Sequence, residues 1–234
     1  MIPLRDDIPA RSTPVFSHLL IAVNVAVFLV QAAQGPHADR FVYVYGLVPA
    51  RYFVPQIAEY FSTGQQLFAM LSFMFLHGGL WHLLGNMWSL YIFGDNVEDR
   101  LGPLRYAAFY LLSGLLSGLA HLLIYRTSNI PTIGASGAIA GVMGAYFVLY
   151  PNSRVLALVP LIIIWEIIEV PAILFLGLWF LMQFFQGVGS MAVRGAVETG
   201  GVAFWAHIAG FVVGIAGVLV LRKPSRTRWR SELI

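Results

Sequence analysis

The stretch GASGAIAGVMGAYFVLY, residues 134–150, has the pattern of a closely packed membrane helix. Its glycines Gly137, Gly141 and Gly144 are three or four residues apart, so they lie on one face of a helix. Small residues at this spacing let two helix backbones come into contact within lipid. Ser136 lies just before this glycine face. We therefore predict a tightly packed helix with a serine at its start.

A second stretch with the same pattern lies near the C-terminal end of the sequence. Gly210, Gly214 and Gly217 repeat the spacing within the apolar residues 203–221, and His207 precedes them. Two such glycine faces can pack against each other in a membrane. The two stretches thus predict neighbouring helices with Ser136 near the top of one and His207 near the top of the other.

The composition indicates that these helices lie in a lipid bilayer. Of the 234 residues, 59% are hydrophobic and only 11% are charged, whereas a soluble domain carries about 25% charged residues. Apolar stretches of the length that crosses a bilayer, about 17–25 residues, separate the charged residues. We predict an all-α integral membrane protein, a six-transmembrane-helix bundle. Its spans are predicted at about residues 15–33, 80 to an inner end at 95–102, 104–125, 135–150, 168–186 and 203–221.

The connections between these spans differ in character. A long outside loop, residues 35–79, contains an apolar run at 67–76 that we expect to form a short helix packed on the protein. The glycine-rich residues 187–201 predict a mobile loop between the fifth and sixth spans. Residues 155–164 are apolar and β-branched, and their pattern is too irregular for an assignment. The predicted domains are an N-terminal tail of residues 1–14, a membrane domain of residues 15–221 and a basic tail of residues 222–234.

The basic residues predict the orientation of the bundle. Cytoplasmic flanks of membrane helices collect Lys and Arg. With six spans, ten of the fourteen Lys and Arg residues fall on the side of the two termini. Both termini are therefore expected in the cytoplasm. The short tails and the absence of a transit peptide favour a bacterial plasma membrane.

Two further features limit the partners and the chemistry. The sequence contains no cysteine, which excludes disulfides, a thiol nucleophile and thiolate metal ligands. We expect neither a metal nor a cofactor. The basic residues 222–230 are expected to bind anionic lipid rather than nucleic acid.

A third group of polar residues lies on the second span. His82 and Asn86 are four residues apart and share a helix face, and His77 precedes them. Asn86, Ser136 and His207 each lie 14 residues before the predicted inner end of their span, which is about 21 Å at the rise of an α-helix. In a hydrocarbon core of about 30 Å this depth is about 10 Å below the outer surface. The three groups are therefore predicted to meet at one level.

In this order, the polar motifs resemble those of rhomboid intramembrane proteases. They are His77-x-x-x-x-His82-x-x-x-Asn86, Gly134-x-Ser136-Gly137 and Ala206-His207-x-x-Gly210-x-x-x-Gly214. Residues 95–102 also resemble the inner end of the family's second span, and the resemblance covers about residues 67–221. It implies a serine endopeptidase whose substrates are single-span transmembrane proteins cut near the outer membrane face.

The resemblance also implies a role for each polar residue. Ser136 is expected to attack the peptide carbonyl and His207 to act as its base, as a dyad without a carboxylate. The backbone N–H of Ser136 and the side chains of His82 and Asn86 are expected to form the oxyanion hole. Gly134 and His77 are expected to support it, although His77 fits a purely structural role equally well.

The sequence departs from the family pattern at two positions. Some members have a Trp-Arg pair in the first outside loop, whereas Arg51 follows Ala50 here. Some carry an aromatic residue four positions after the nucleophile, where it packs on the catalytic histidine, but this position is Ala140. What anchors the loop and what orients His207 therefore stay open at this point.

Two other classes of protein are alternatives to a protease. A catalytically silent rhomboid-like protein that captures membrane clients would be expected to lose the nucleophile or the base, and this sequence keeps both. A channel or transporter would need polar groups through the whole depth of the bundle. Here the polar groups concentrate at one level near the outer face.

Overall fold

The computed structural model describes residues 1–161, 164–192 and 203–221, and it is mostly helical. Six long helices correspond to the six predicted spans. They are α1 (Val15–Ala32), α6 (Leu80–Leu101), α7 (Pro103–Ile124), α8 (Ser136–Leu149), α9 (Ala172–Ala192) and α10 (Phe204–Leu221). Shorter helices fill the long connection between α1 and α6: α2 (Ala38–Tyr45), α3 (Ala50–Phe53), α4 (Pro55–Ala58), α5 (Thr63–Ser72) and two 3-10 turns, Gly35–His37 and Phe73–Phe75.

Four of the long helices are long and apolar enough to cross a membrane by themselves, namely α1, α7, α9 and α10. The run from Thr63 through α6 becomes a fifth if its 77° bend lies within one span. Helix α8 is apolar but has 14 residues, about 21 Å of helix. The structure thus supports a helical membrane protein, while the crossing of α6 and α8 stays a prediction.

The sequence prediction is wrong about the segment before the fifth helix. A three-stranded antiparallel sheet forms from β1 (Ile2–Asp6), β2 (Arg154–Leu161) and β3 (Ile164–Pro171), with β2 in the centre. The predicted span from residue 168 therefore begins only at Ala172, because residues 168–171 belong to β3. An apolar, β-branched run does not reveal by itself which strand it pairs with or in which register.

The predicted glycine-rich loop is also partly wrong. Helix α9 continues through Gly187 and Gly189 to Ala192. A helix in lipid keeps its backbone hydrogen bonds satisfied within the segment, so glycines interrupt it less than they would in water. Residues 193–202, the remainder of that predicted loop, lie outside the described residues.

The carboxylates at the end of α6 fix the start of α1. Glu98 is buried, and it accepts hydrogen bonds from the backbone N–H of Phe16 at 2.9 Å and of Ser17 at 2.8 Å. Asp99 accepts from the N–H of Arg11 at 2.5 Å and from Ser12. The first N–H groups of a helix have no partner within the helix. Glu98 supplies such partners in the first turn of α1, and Asp99 ties the segment before this helix to α6.

Arg51 anchors the connection between α1 and α6 in the absence of a Trp-Arg pair. Its guanidinium is buried between two rings, 4.4 Å from the centroid of Tyr43 and 3.9 Å from that of Phe61. It also donates to the carbonyl oxygen of Val44 at 3.0 Å. The attraction between a cation and an aromatic face is stronger when the pair is removed from water. The guanidinium therefore joins α2 to the turn that precedes α5.

Helix α8 lies in the centre of the bundle and packs closely on α10. Residues 137–146 are all buried. A Cβ atom on Gly210 would overlap the carbonyl oxygen of Gly137, and one on Gly214 would overlap that of Gly141. The two glycine faces therefore meet backbone to backbone, which places the tops of α8 and α10 side by side.

Candidate active site

Ser136 and His207 are in direct contact at the top of this helix pair. Ser136 is the first residue of α8, and His207 lies in the first turn of α10. The Oγ atom of Ser136 is 2.7 Å from Nε2 of His207, and the His207 ring is buried. A hydroxyl within hydrogen-bond reach of an imidazole nitrogen is the arrangement of an activated nucleophile and its base.

Helix α9 contacts the other side of the His207 ring. The Oε1 atom of Gln183 is 2.7 Å from Nδ1 of His207. The ring of Trp179, one helical turn before Gln183, lies 6.0 Å from the imidazole centroid at an interplanar angle of 31°. These two side chains occupy the surroundings of His207 that Ala140 on α8 cannot fill.

His82 directs a proton donor toward the loop before Ser136. Its Nδ1 atom accepts a hydrogen bond from the backbone N–H of Gly78 at 3.2 Å. A neutral imidazole with Nδ1 as acceptor carries its proton on Nε2. A Cβ atom on Gly134 would lie 2.9 Å from this Nε2 atom. The N–H of His82 therefore borders the backbone just before the nucleophile.

Gly134 allows this close approach, and Asn86 lies beside it. The φ angle of Gly134 is 125°, a conformation that side-chain-bearing residues rarely adopt. A Cβ atom there would lie 3.6 Å from Nδ2 of Asn86. Within the described part of the chain, this buried Nδ2 has no hydrogen-bond partner. A buried donor without a partner is costly unless a ligand uses it.

His77 lies behind His82 rather than beside Ser136. Its ring is fully buried, with its centroid 5.2 Å from that of His82 in an edge-to-face arrangement. Gln31 of α1 holds its backbone, donating to the carbonyl oxygen at 2.6 Å and accepting from the N–H at 3.1 Å. The position of His77 suits a residue that supports the orientation of His82.

The structure brings most of the residues predicted from the sequence to one place. Ser136, His207, His82, Asn86 and Gly134 lie together near the N-terminal ends of α6, α8 and α10, with His77 behind them. Within the described residues no group of three or more His, Cys, Asp and Glu side chains could hold a metal ion. The side chains that meet here carry hydroxyl, imidazole and amide groups.

Sequence reasoning missed Gln183 as a neighbour of His207. The residue lies 24 positions before His207 and belongs to no recognisable motif. Its signal was an amide in the middle of a largely apolar span, since a polar residue inside a membrane helix is often functional. Gln31 was missed for the same reason, on α1.

Comparison with known proteins identifies the family. A family model described as Rhomboid domain matches residues 64–224. Rhomboid protein 1, mitochondrial, of Saccharomyces cerevisiae is 28% identical over 85% of this chain and 51% of that protein. RHOMBOID-like protein 4 of Arabidopsis thaliana is 32% identical over 69% of this chain and 36% of that protein. Inactive RHOMBOID-like protein 8 of Arabidopsis thaliana is 38% identical over 36% of this chain and 23% of that protein.

The matched chain thus spans about half the length, or less, of these relatives. One of the three carries the word inactive in its name, so membership by itself does not establish catalysis. The family match nevertheless covers well over half of the chain and includes every residue of the site, from His77 to His207. The chain belongs to the rhomboid family.

Proposed function

We propose that this protein is an intramembrane serine endopeptidase that cleaves transmembrane segments of membrane proteins near the outer membrane face. The observation that carries the proposal is the 2.7 Å contact between Ser136 Oγ and His207 Nε2 at the top of two buried, closely packed helices. A relative named as inactive makes a silent client-binding protein the alternative. The contact between the two groups favours the enzyme.

The proposed reaction has two steps, acylation of Ser136 and hydrolysis of the resulting ester. In each step one proton passes through His207. Ser136 Oγ forms a bond to the carbonyl carbon of the substrate, and its proton passes to Nε2 of His207. His207 then delivers this proton to the leaving amine as the peptide C–N bond breaks. A water molecule attacks the resulting ester by the reverse sequence, which releases the second product and restores Ser136.

The groups around Gly134 are suited to stabilise the negatively charged oxygen that forms in each of the two reaction steps. Ser136 begins α8, where the helix itself leaves the backbone N–H without a partner. The Nε2–H of His82 and the unpaired Nδ2 of Asn86 border the same point. Donors held in place before the reaction stabilise an oxyanion strongly because they need no reorganisation.

Loss of a donor should therefore lower turnover more than substrate binding. We expect His82→Ala and Asn86→Ala each to lower kcat by about 10²–10³-fold with little change in KM. His77→Ala should have a smaller effect, because His77 acts through His82. The measurement is steady-state cleavage of a transmembrane substrate in detergent.

Ser89→Ala is the matched control for these variants. Ser89 lies one turn further along α6, and its hydroxyl donates only to the carbonyl oxygen of Gly85 at 2.9 Å. This variant should retain the parental kcat. Parental kcat in the three histidine and asparagine variants would refute the oxyanion assignment and leave the dyad standing.

A serine-directed covalent probe tests the proposed function directly. Incubation of the purified protein with a fluorophosphonate, followed by proteolytic digestion and mass spectrometry, should place the adduct on Ser136. Labelling requires an activated hydroxyl, which a client-binding protein does not need. Absence of an adduct on Ser136 in a folded protein, together with capture of an uncut transmembrane client, would favour the silent alternative.

The proposed substrate is a single-span membrane protein that unwinds before it is cut. A transmembrane helix uses its carbonyls in internal hydrogen bonds, and unpairing them in lipid costs several kcal/mol per group. Ser136 lies about 10 Å below the outer face by helix rise. We propose that the segment enters laterally past α6 and α9 and is cut near its outer end. A small residue should precede the cut, with helix-weakening residues just beyond it.

Replacing the helix-weakening residues of a cleaved substrate with Leu should slow its cleavage. Gly and Pro disfavour a helix by about 1 and 3 kcal/mol relative to Ala, so Leu makes unwinding more costly. The rate is measured by gel assay and the cut site by the mass of the products. Undiminished cleavage, or a cut in the inner half of the segment, would contradict unwinding near the outer face.

The distribution of basic residues supports an orientation with both termini in the cytoplasm. In this orientation the outer ends of α6, α8 and α10, and thus the proposed site, face the opposite side of the membrane. Residence in a bacterial plasma membrane stays a prediction, since the relatives named above come from yeast and a plant.

A further inference from the structure

His207 is held between two hydrogen-bond partners on different helices. Its Nε2 atom faces Ser136 Oγ, and its Nδ1 atom faces Oε1 of Gln183, each at 2.7 Å. A base must keep one particular nitrogen free of its proton and aimed at the nucleophile. Gln183 contacts the nitrogen that does not face Ser136.

The contact with Gln183 selects the tautomer that can act as a base. An amide oxygen only accepts hydrogen bonds, so Nδ1 of His207 carries the proton and donates it to Oε1. A neutral imidazole protonated on Nδ1 has an unprotonated Nε2. Nε2 then accepts the hydrogen bond from the Ser136 hydroxyl. The opposite tautomer would place a hydrogen between His207 and Ser136 and could not remove the proton.

The same helix also packs against the face of the imidazole. Trp179 and Gln183 are four residues apart and therefore lie on one face of α9. The indole lies 6.0 Å from the imidazole centroid, and it also lies 6.1 Å from the ring of Phe211, one turn further along α10. Ala140 of α8 is too small for this role. The contacts to Nδ1 and to the indole of Trp179 thus come from α9, whereas α8 contacts His207 through the Ser136 hydroxyl.

We propose that Gln183 is the positioning residue of the base, holding His207 in the Nδ1–H tautomer through its Oε1 atom while Trp179 packs on the ring. The inference deepens the proposed proteolysis and rests on it. A serine protease triad uses a carboxylate in this position. Gln183 is buried among apolar helices, where a neutral amide avoids the cost of desolvating a charge.

The other imidazoles near the site have different partners. His82 accepts from the N–H of Gly78, and His121 of α7 contacts Oγ1 of Thr132 at 2.6 Å. Within the described residues, His82 and His121 are the titratable groups on other helices that interact electrostatically with His207. Neither of them contacts Nδ1 of His207. The orientation of the base is therefore assigned to Gln183.

Two substitutions separate orientation from packing. Gln183→Met keeps the length and approximate volume of the side chain and removes the hydrogen-bond acceptor. We expect it to lower kcat on the order of 10²-fold, within the range of general acid–base catalysis, with KM unchanged. Labelling of Ser136 by a fluorophosphonate should slow by the same factor, because that reaction needs the base and no transmembrane substrate.

Gln183→Glu keeps the acceptor and adds a negative charge. We expect this variant to retain most of the parental kcat, with the acid limb of its pH–rate profile moved to higher pH, because a carboxylate stabilises the imidazolium. His82 and His121 are present in every variant and cannot produce the difference. Met182→Ala is the control, since Met182 is about half exposed on the adjacent position of α9; its kcat should be parental.

Each result either supports or overturns the assignment. Parental kcat and labelling in a folded Gln183→Met protein would overturn it, as would a folded Gln183→Glu protein with no activity. If Gln183→Met does not fold, an unchanged pH–rate profile in Gln183→Glu overturns it. Failure of the parental protein to label at Ser136 would refute the proposed function itself, whereas equal labelling of parent and variants refutes only the role of Gln183.

Discussion

Replacing Ser136 with alanine is expected to abolish cleavage of a transmembrane substrate, and His207→Ala is expected to do the same. In soluble serine proteases, removing either the nucleophile or the base lowers kcat on the order of 10⁶-fold. A loss of this size places the rate below detection. The reason here is the 2.7 Å contact, since neither group is activated without the other.

Both variants should remain folded, because each truncation leaves the backbone contacts between the glycine faces of α8 and α10 in place. Thermal unfolding in detergent should therefore be close to that of the parent. Ser190→Ala is the matched control: Ser190 donates to the carbonyl oxygen of Gly187 within α9, at 2.7 Å, and its removal should leave cleavage unchanged. Substantial cleavage by either dyad variant would exclude the assignment of nucleophile and base.

Gly214→Ala is expected to lower both stability and turnover, although Gly214 does not touch the site. A Cβ atom there would overlap the carbonyl oxygen of Gly141, which belongs to the backbone and cannot rotate away. The two helices must separate, at a cost of about 1–3 kcal/mol for overpacking. Misplacing a reacting group by 1 Å can cost about 10² in rate, so both the unfolding temperature and kcat should fall.

Gly217→Ala on the same helix is the control for this effect. A Cβ atom at Gly217 would lie 3.0 Å from the ring of Phe109, which asks for a shift of a few tenths of an ångström in a side chain and not for separation of two backbones. The unfolding temperature and kcat should therefore change little. Equal effects of the two substitutions would show that backbone contact between α8 and α10 does not set the geometry of the site.

The sequence was sufficient to predict which polar groups the structure brings together at one end of the bundle. Ser136, His207 and Asn86 could be placed by counting residues to the inner ends of their spans, because the rise of a helix is fixed. The glycine faces of α8 and α10 predicted a close pair, because few other arrangements use such spacing in lipid. These inferences needed only periodicity and the length of each span.

The elements that sequence reasoning missed depend on contacts between distant segments. The sheet requires β1 to pair with β2 across about 150 residues of chain, with Ile2 opposite Leu158. Asp6 accepts a hydrogen bond from Asn96 at 2.8 Å, a contact that no local pattern indicates. Gln183 lies in a stretch that reads as an ordinary apolar helix, and its meaning depends on the ring that it faces.

The placement of the proposed dyad on α8 and α10 has a consequence for biosynthesis. The ribosome delivers Ser136 to the membrane long before His207, which follows it by 71 residues. The helix that carries Gln183 is also inserted before α10. A nascent chain that ends before α10 therefore has a serine without its base, and it cannot cleave neighbouring membrane proteins. The proposed proteolysis would thus begin only when α10 docks against the glycine face of α8, so that insertion of this helix would be its activation step.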